Sequence, residues 1–150
     1  MTDFRELYQE LIIDHGRHPR NFKSMLNASV QKEGFNPLCG DHLNLFLKIE
    51  NNQVMDISFE GGGCAISMAS ASLMTEILKG KNFSDAKKIF NAFHRLMINA
   101  DESEINLLGK LVALKGVADY PSRVKCATLA WHTLMAGIEN QQSEICVTTE

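Results

Sequence analysis

The stretch LNLFLKIENNQVMDISFEGGGCAISMASAS, residues 43–72, decides the fold. Apolar side chains occupy every second position over residues 43–49, and a period of two is typical of a strand with one buried face. The Asn51-Asn52 pair predicts a turn, after which residues 54–59 return as a second strand. The sequence therefore predicts an antiparallel hairpin as the base of the protein.

Helices and one more strand are predicted around this hairpin. A shorter strand near residues 29–32 would complete a small antiparallel three-stranded sheet. Capping pairs, glycines and prolines delimit the helices, with Ser84-Asp85 expected to cap the third, and the tail from Gln141 is expected to fray. The helices are expected at residues 4–15, 65–79, 86–98, 103–114 and 121–139. The order of a helix, a small sheet and then helices is typical of an α+β fold in which the sheet packs against the helices.

Composition excludes several classes of protein. The chain has 150 residues, of which 45% are hydrophobic and 22% charged, and these values are ordinary for a globular protein with its own core. A single domain over residues 1–150 is the expected organisation. The formal net charge of −3 argues against nucleic acid as the main partner. No apolar run approaches the length of a membrane span, so no membrane partner is expected.

The N-terminal residues bear on the redox compartment. They are acidic and polar, unlike a secretory signal peptide, so a cytoplasmic location is expected. Thiols in the cytosol are kept reduced, and cysteines there more often bind metal or do chemistry than form disulfides.

Three cysteines and one aspartate stand at backbone positions that can aim a side chain. Cys39 and Asp41 are two residues apart just before the first strand of the hairpin, so in extended chain both point the same way. Cys64 follows the glycine run at a strand-to-helix junction, and Cys126 falls near the first turn of the last helix. Helix N-termini stabilise a thiolate. Three thiolates and a carboxylate suit Zn²⁺, whereas Cys146 lies in a polar tail without such context.

Blander interpretations of these residues stay open. A single cysteine is as often a small buried hydrophobe as a ligand, although three on special backbone positions make that interpretation weaker. Arg123 and Lys125 precede Cys126 and are taken as supporting cations. Lys125 would compensate the charge of three thiolates or pair with Asp41, or it is an ordinary solvated lysine on a helix.

Four motifs follow one another along the chain in an order that is informative as a whole. They are Asp14-His15-x-x-x-Pro19-Arg20-Asn21, Asn36-Pro-x-Cys-Gly-Asp41, Gly61-x-Gly63-Cys64-x-Ile66-Ser67-x-Ala69-Ser70-Ala71-Ser72 and Arg123-x-Lys125-Cys126-x-x-Leu129-Ala130-Trp131. Together they resemble the SufU/IscU family of iron–sulfur cluster assembly proteins, which match the N-terminal domain of NifU. The resemblance runs over about residues 7–137 and implies a SufU/IscU-like fold.

Two departures from the scaffold pattern favour the SufU branch of this family. IscU-type scaffolds carry a histidine directly before the third cysteine, where this chain has Lys125. SufU-type members carry an extra helical segment between the second and third cysteines, and residues 91–117 are long enough to contain it. Gly16 stands where many relatives have an aromatic residue.

The resemblance implies a function in sulfur transfer. SufU-type proteins hold zinc with three cysteines and an aspartate, here Cys39, Asp41, Cys64 and Cys126. They accept persulfide sulfur from a SufS-type cysteine desulfurase and pass it to the downstream iron–sulfur assembly machinery, which would make this chain a zinc-dependent sulfurtransferase with Cys39 as its catalytic acceptor.

Two other functions are alternatives to sulfur transfer. The first is an IscU-type scaffold that binds iron and assembles a [2Fe–2S] cluster on the same cysteines, with sulfur received at Cys126. The second is a zinc-stabilised adaptor without sulfur chemistry. Asp41 argues against the adaptor, because structural zinc sites favour all-cysteine or cysteine and histidine sets.

Overall fold

The computed structural model describes residues 4–140 and 147–148. Its α-helices are α1 (Phe4–Arg17), α2 (Ala65–Leu78), α3 (Phe83–Asn99) and α4 (Pro121–Glu139). Its strands are β1 (Val30–Asn36), β2 (Asp41–Glu50), β3 (Gln53–Gly62) and β4 (Val147–Thr148). Two 3₁₀ helices, Ile105–Leu107 and Gly109–Asp119, connect α3 to α4.

The sheet has the strand order β3-β2-β1-β4. The strands β1, β2 and β3 pair antiparallel, and β2 and β3 form the predicted hairpin. The short β4 adds a parallel edge, with Val147 opposite Gly34 and Thr148 opposite Phe35. The predicted α+β fold is confirmed, but the sheet has four strands rather than three. A two-residue strand carries no periodicity that a sequence could show. The rest of the tail, including Cys146, lies outside the described residues.

Three predicted boundaries differ from the structure. The first strand continues to Asn36 instead of ending near residue 32. Helix α3 is capped by Asn82, whose Oδ1 accepts the Asp85 N–H at 2.8 Å, and not by Ser84. The helix expected over residues 103–114 is a pair of 3₁₀ helices. Gly109, with a φ of 52°, stands at their junction, and this left-handed conformation cannot continue an α-helix.

The helices cover one face of the sheet and enclose the core. Apolar side chains that point inward from β2 and β3 have no exposed surface, among them Leu45, Leu47, Ile57 and Phe59. Full burial of such a side chain stabilises the fold by about 1.5–3 kcal/mol. Trp131 of α4 is equally buried, and its ring lies 4.9 Å from that of Phe93. No helix in the described part of the chain combines the length and hydropathy of a bilayer-spanning segment.

The Asp14–Asn21 motif fastens the end of α1 to α2. His15 is 1% exposed, and its Nδ1 lies 2.7 Å from Ser72 Oγ. The Arg20 N–H donates to the same hydroxyl at 2.8 Å, and Asn21 Nδ2 donates to Thr75 Oγ1 at 2.9 Å. Since Ser72 accepts from Arg20, its own proton is available to His15 Nδ1, which suits a neutral imidazole. These contacts fix the end of α1 and the residues that follow it against the second half of α2.

Candidate metal centre

The loop between β1 and β2 carries the first predicted ligand. Asn36 and Asp41 face each other as the last pair of the β1–β2 ladder. The four residues between them turn the chain, with Gly40 at a φ of 76° and its N–H donating to Asn36 O at 2.8 Å. Cys39 stands exposed on this loop, whereas Asp41 at the start of β2 has no exposed surface. The loop therefore sets an exposed thiol beside a buried carboxylate.

Asp41 is held by the start of α2. Its Oδ1 accepts the Cys64 N–H at 2.8 Å, one of the free donors at a helix N-terminus. Its Oδ2 lies 3.4 Å from Asn36 Nδ2. Gly63 passes so close that a Cβ there would overlap Asp41 Oδ1. Position 63 therefore requires a residue without a side chain, because the chain at the end of β3 passes directly beside the Asp41 carboxylate.

Cys126 approaches the same point from α4. It is 1% exposed, and its Sγ lies 3.3 Å from Cys39 Sγ. Among the residues that the structure describes, the side chains that could share a metal ion are Cys39, Asp41 and Cys126, whose ligand atoms all lie within 4.8 Å of one another. The structure therefore brings three of the four predicted ligands together, although they come from a loop, a strand and a helix.

Cys64 lies next to this group with its sulfur turned toward its own helix. It is the N-cap of α2, and its Sγ accepts the Ser67 N–H at 3.4 Å. Its charge nevertheless acts on Cys126, which places it at the edge of the site. Cys64 is not among the side chains whose ligand atoms lie within 4.8 Å of one another, so its sulfur would have to come closer to them to become the fourth ligand.

The site holds several acidic groups close together, which disfavours their ionisation at the same time. Burial raises the pKa of the Cys126 thiol, and its contacts with Asp41, Cys39 and Cys64 raise it further. Cys126 is in the second turn of α4, beyond the first-turn N–H groups that would favour a thiolate. Asp41 and Cys126 are buried, and Cys39 and Cys64 lie beside them. A nearby cation would be needed for all four groups to be ionised at the same time.

The two predicted supporting cations occupy different places. A hydrogen bond to Cys126 raises the pKa of the exposed Arg123, and the charges of Cys64, Cys126 and Cys39 raise it further, so the guanidinium faces the site. Lys125 is half-buried and lines a groove of about 810 Å³ between α3 and α4 together with His132 and Phe90. Arg123 is therefore the cation that the structure sets against the thiols.

Sequence reasoning missed Asn36 as a member of the site. Its side chain is fully buried between Asp41 and Cys126. Residues 30, 32, 34 and 36 of β1 all point inward, but three of these are Lys32, Gly34 and Asn36, which give no hydrophobic signal in the sequence. A strand that ends near residue 32 leaves Asn36 out of this phase.

Comparison with known proteins identifies the family and supports the fold. The family model NifU-like N terminal domain matches residues 7–127. Zinc-dependent sulfurtransferase SufU from Bacillus subtilis (strain 168) is 42% identical over 136 residues, which are 91% of this chain and 92% of that protein. Iron-sulfur cluster assembly scaffold protein IscU from Streptococcus pyogenes serotype M1 is 33% identical over 139 residues, 93% of this chain and 87% of that protein.

A solved structure adds the three-dimensional likeness. An iron-sulfur cluster assembly scaffold protein for the SUF system from Fervidobacterium islandicum AW-1 superposes with a TM-score of 0.83 at 34% identity, covering 89% of this chain and 98% of that chain. The hairpin, the start of α2 and helix α4, which carry the site, also carry the sequence motifs described above. The chain belongs to the family of NifU-like N-terminal domains.

Proposed function

We propose that this chain is an iron–sulfur cluster assembly protein that accepts sulfur from a cysteine desulfurase and holds Zn²⁺ with Cys39, Asp41, Cys64 and Cys126. The observation that carries the proposal is the pairing of an exposed Cys39 thiol with the buried Asp41 and Cys126, 3.3 Å apart between the two sulfurs. The similarity to a protein named zinc-dependent sulfurtransferase SufU supports it.

The donor set fits a zinc ion. Thiolates and a carboxylate are ligands that Zn²⁺ accepts in a tetrahedral arrangement. The raised pKa of Cys126 comes from burial among other acids, and a divalent cation would remove that penalty. Bound zinc would keep the thiols ionised at neutral pH while lowering their nucleophilicity.

Cys39 is the residue suited to accept sulfur. It is exposed on a four-residue loop, whereas Cys126 is buried in α4 and Cys64 caps α2. The Cys39 thiolate attacks the outer sulfur of the donor's persulfide. A new S–S bond forms at Cys39 as the donor's S–S bond breaks, and the electron pair leaves with the donor cysteine as a thiolate. No added oxidant or reductant is needed.

The neighbouring residues have separate tasks in this transfer. Arg123 faces the thiols and would stabilise the negative charge of the new persulfide. Asp41 ties the loop to the start of α2 through the Cys64 N–H, so the site keeps its shape when Cys39 moves.

The test measures alanine and sulfide release by a SufS-type desulfurase with cysteine as substrate. Wild-type protein should increase turnover by removing the enzyme-bound persulfide, and Cys39→Ala should abolish that increase. Cys146→Ala is the matched control outside the predicted ligand set and should behave as wild type. Mass spectrometry should find the added sulfur on Cys39.

Two results would overturn this function. Added sulfur on Cys126 alone would refute the role of Cys39. No stimulation by wild-type protein, together with a stable [2Fe–2S] spectrum after addition of iron and sulfide, would show the scaffold function instead. Metal analysis of protein purified without added metal tests zinc directly.

A further inference from the structure

We propose that Asn36 is the positioning residue that selects Cys39, and not Cys126, as the sulfur acceptor. The inference rests on the proposed function, in which one cysteine of the site reacts while the others stay in place. Asn36 would restrain the buried side of the site and leave the exposed thiol unrestrained.

The contacts of Asn36 reach three parts of the site. Its Nδ2 lies 3.4 Å from Asp41 Oδ2 and 3.7 Å from Cys126 Sγ. Its Oδ1 accepts the Leu38 N–H at 3.2 Å, and its backbone O accepts the Gly40 N–H at 2.8 Å. One fully buried amide therefore joins β1, the Cys39 loop, β2 and α4.

The orientation of the carboxamide follows from these partners. The Leu38 N–H donates to Oδ1, and in a carboxamide the oxygen accepts whereas the NH₂ group donates. The NH₂ group must then face Asp41 and Cys126, and its two protons can serve one partner each. Both partners are acceptors when ionised, so the arrangement becomes stronger as the site acquires negative charge.

This geometry makes the two neighbouring sulfurs unequal. A hydrogen bond from an amide draws electron density from a thiolate and holds its orientation, as outer contacts do around metal ligands. Cys126 receives this bond in addition to its burial. No side-chain contact of Asn36 to Cys39 is among the hydrogen bonds of the described residues. Cys39 is therefore the more accessible of the two sulfurs, and Asn36 draws no electron density from it.

The loop contact adds a mechanical difference. The Leu38 N–H bond anchors the entry of the loop, and the Gly40 N–H bond anchors its exit. Cys39 lies between these two anchors and is exposed. Its side chain can turn outward to a donor while the base of the loop stays fixed to Asn36.

The experiment compares Asn36→Ala and Asn36→Leu with wild type, each loaded with one equivalent of zinc. Asn36→Leu keeps the branched shape of the side chain without adding charge, but it removes the donor to Cys126. Limiting iodoacetamide followed by peptide mass spectrometry gives the ratio of Cys39 to Cys126 alkylation. A chelating indicator gives zinc affinity, and circular dichroism reports folding.

In wild type, Cys39 should be alkylated first. Both variants should shift labelling toward Cys126 and weaken zinc binding by about tenfold, the lower end of what such outer contacts contribute. Asn44→Ala is the matched control, since Asn44 is a half-buried asparagine further along β2 and is not one of the residues that form the site. It should leave the alkylation ratio unchanged.

The outcomes separate the two proposals. An unchanged alkylation ratio in folded Asn36→Leu protein overturns the role of Asn36, whatever metal is bound. If wild-type protein binds no zinc or fails to stimulate the desulfurase, the proposed function fails, but the alkylation ratios of the metal-free proteins still decide whether Asn36 makes Cys39 the reactive thiol. If Asn36→Ala does not fold, Asn36→Leu decides alone.

Discussion

Replacement of Gly63 by alanine tests whether position 63 must lack a side chain to leave room for the Asp41 carboxylate. Gly63 has a φ of 151°, in a region essentially restricted to glycine, where a side chain costs about 1–3 kcal/mol. A Cβ there would also overlap Asp41 Oδ1 and lie 3.0 Å from Asp41 Cα, so the carboxylate must move. Losing its bond with the Cys64 N–H adds about 1.5–3 kcal/mol, the contribution of hydrogen bonds to charged groups.

The sum is about 2.5–6 kcal/mol, a large share of the total of about 5–15 kcal/mol that stabilises a domain. Urea unfolding at fixed metal content should show this as a lower midpoint with an unchanged slope. Gly80→Ala is the matched control, because Gly80 also has a positive φ, 85°, but no other heavy atom would lie within 4 Å of a Cβ at that position. It should lose only about 1–2 kcal/mol.

Zinc affinity is a second readout, which separates the effect of backbone strain from the effect on the Asp41 carboxylate. Gly63→Ala should bind zinc more weakly, while Gly80→Ala should bind it as wild type does. Equal destabilisation of the two variants, with wild-type zinc affinity in both, would refute the reasoning that Gly63 is needed by Asp41.

Three further predictions concern the site, the core and pH. Asp41→Ala should still bind zinc through the cysteines but lose about 1.5–3 kcal/mol of stability, because the Cys64 N–H loses its charged acceptor; denaturation and metal analysis check this, and unchanged stability would contradict it. Ser70→Ala should cost about 1–3 kcal/mol, because Trp131 Nε1 loses its acceptor at 3.1 Å; in thermal unfolding the double variant with Trp131→Phe should lose less stability than the sum of the two single variants, and strict additivity would contradict this. Burial lowers the pKa of His132 from its ordinary 6.5, so the unfolded chain binds the proton more readily and stability should fall as pH drops below about 6.5; His132→Phe should reduce this slope in urea titrations, and an identical slope would assign it to other groups.

The central hairpin could be predicted because apolar side chains recur at every second position on its buried face. Alternation over residues 43–49 fixes which face of β2 is buried, and the structure has that register. The extent of β1 could not be read the same way, since its inward positions include Lys32, Gly34 and Asn36. Polar and small residues on a buried face show no hydrophobic period, so the pattern predicts a strand that stops too early.

The residues of the candidate site also differ in how well the sequence predicts their positions. The i, i+2 spacing of Cys39 and Asp41 indicates a shared direction, and the structure sets both beside Cys126. The direction of Cys64 Sγ depends on a rotamer chosen by the Ser67 N–H, which no spacing reveals. The contacts of Asn36 with Asp41 and Cys126 depend on tertiary packing of α4 against β1, so they too required the structure.

The distances along the chain between the site residues have a consequence for biosynthesis. Asp41 and Cys64 are 23 residues apart, whereas Cys39 and Cys126 are 87 residues apart. At synthesis rates of about 5–20 residues per second, Cys126 emerges roughly 4–17 s after Cys39. During that interval the nascent chain carries Cys39 and Cys64 without the helix that later brings Cys126 beside Cys39. Newly made protein is therefore more open to oxidants and stray metal ions than the finished fold.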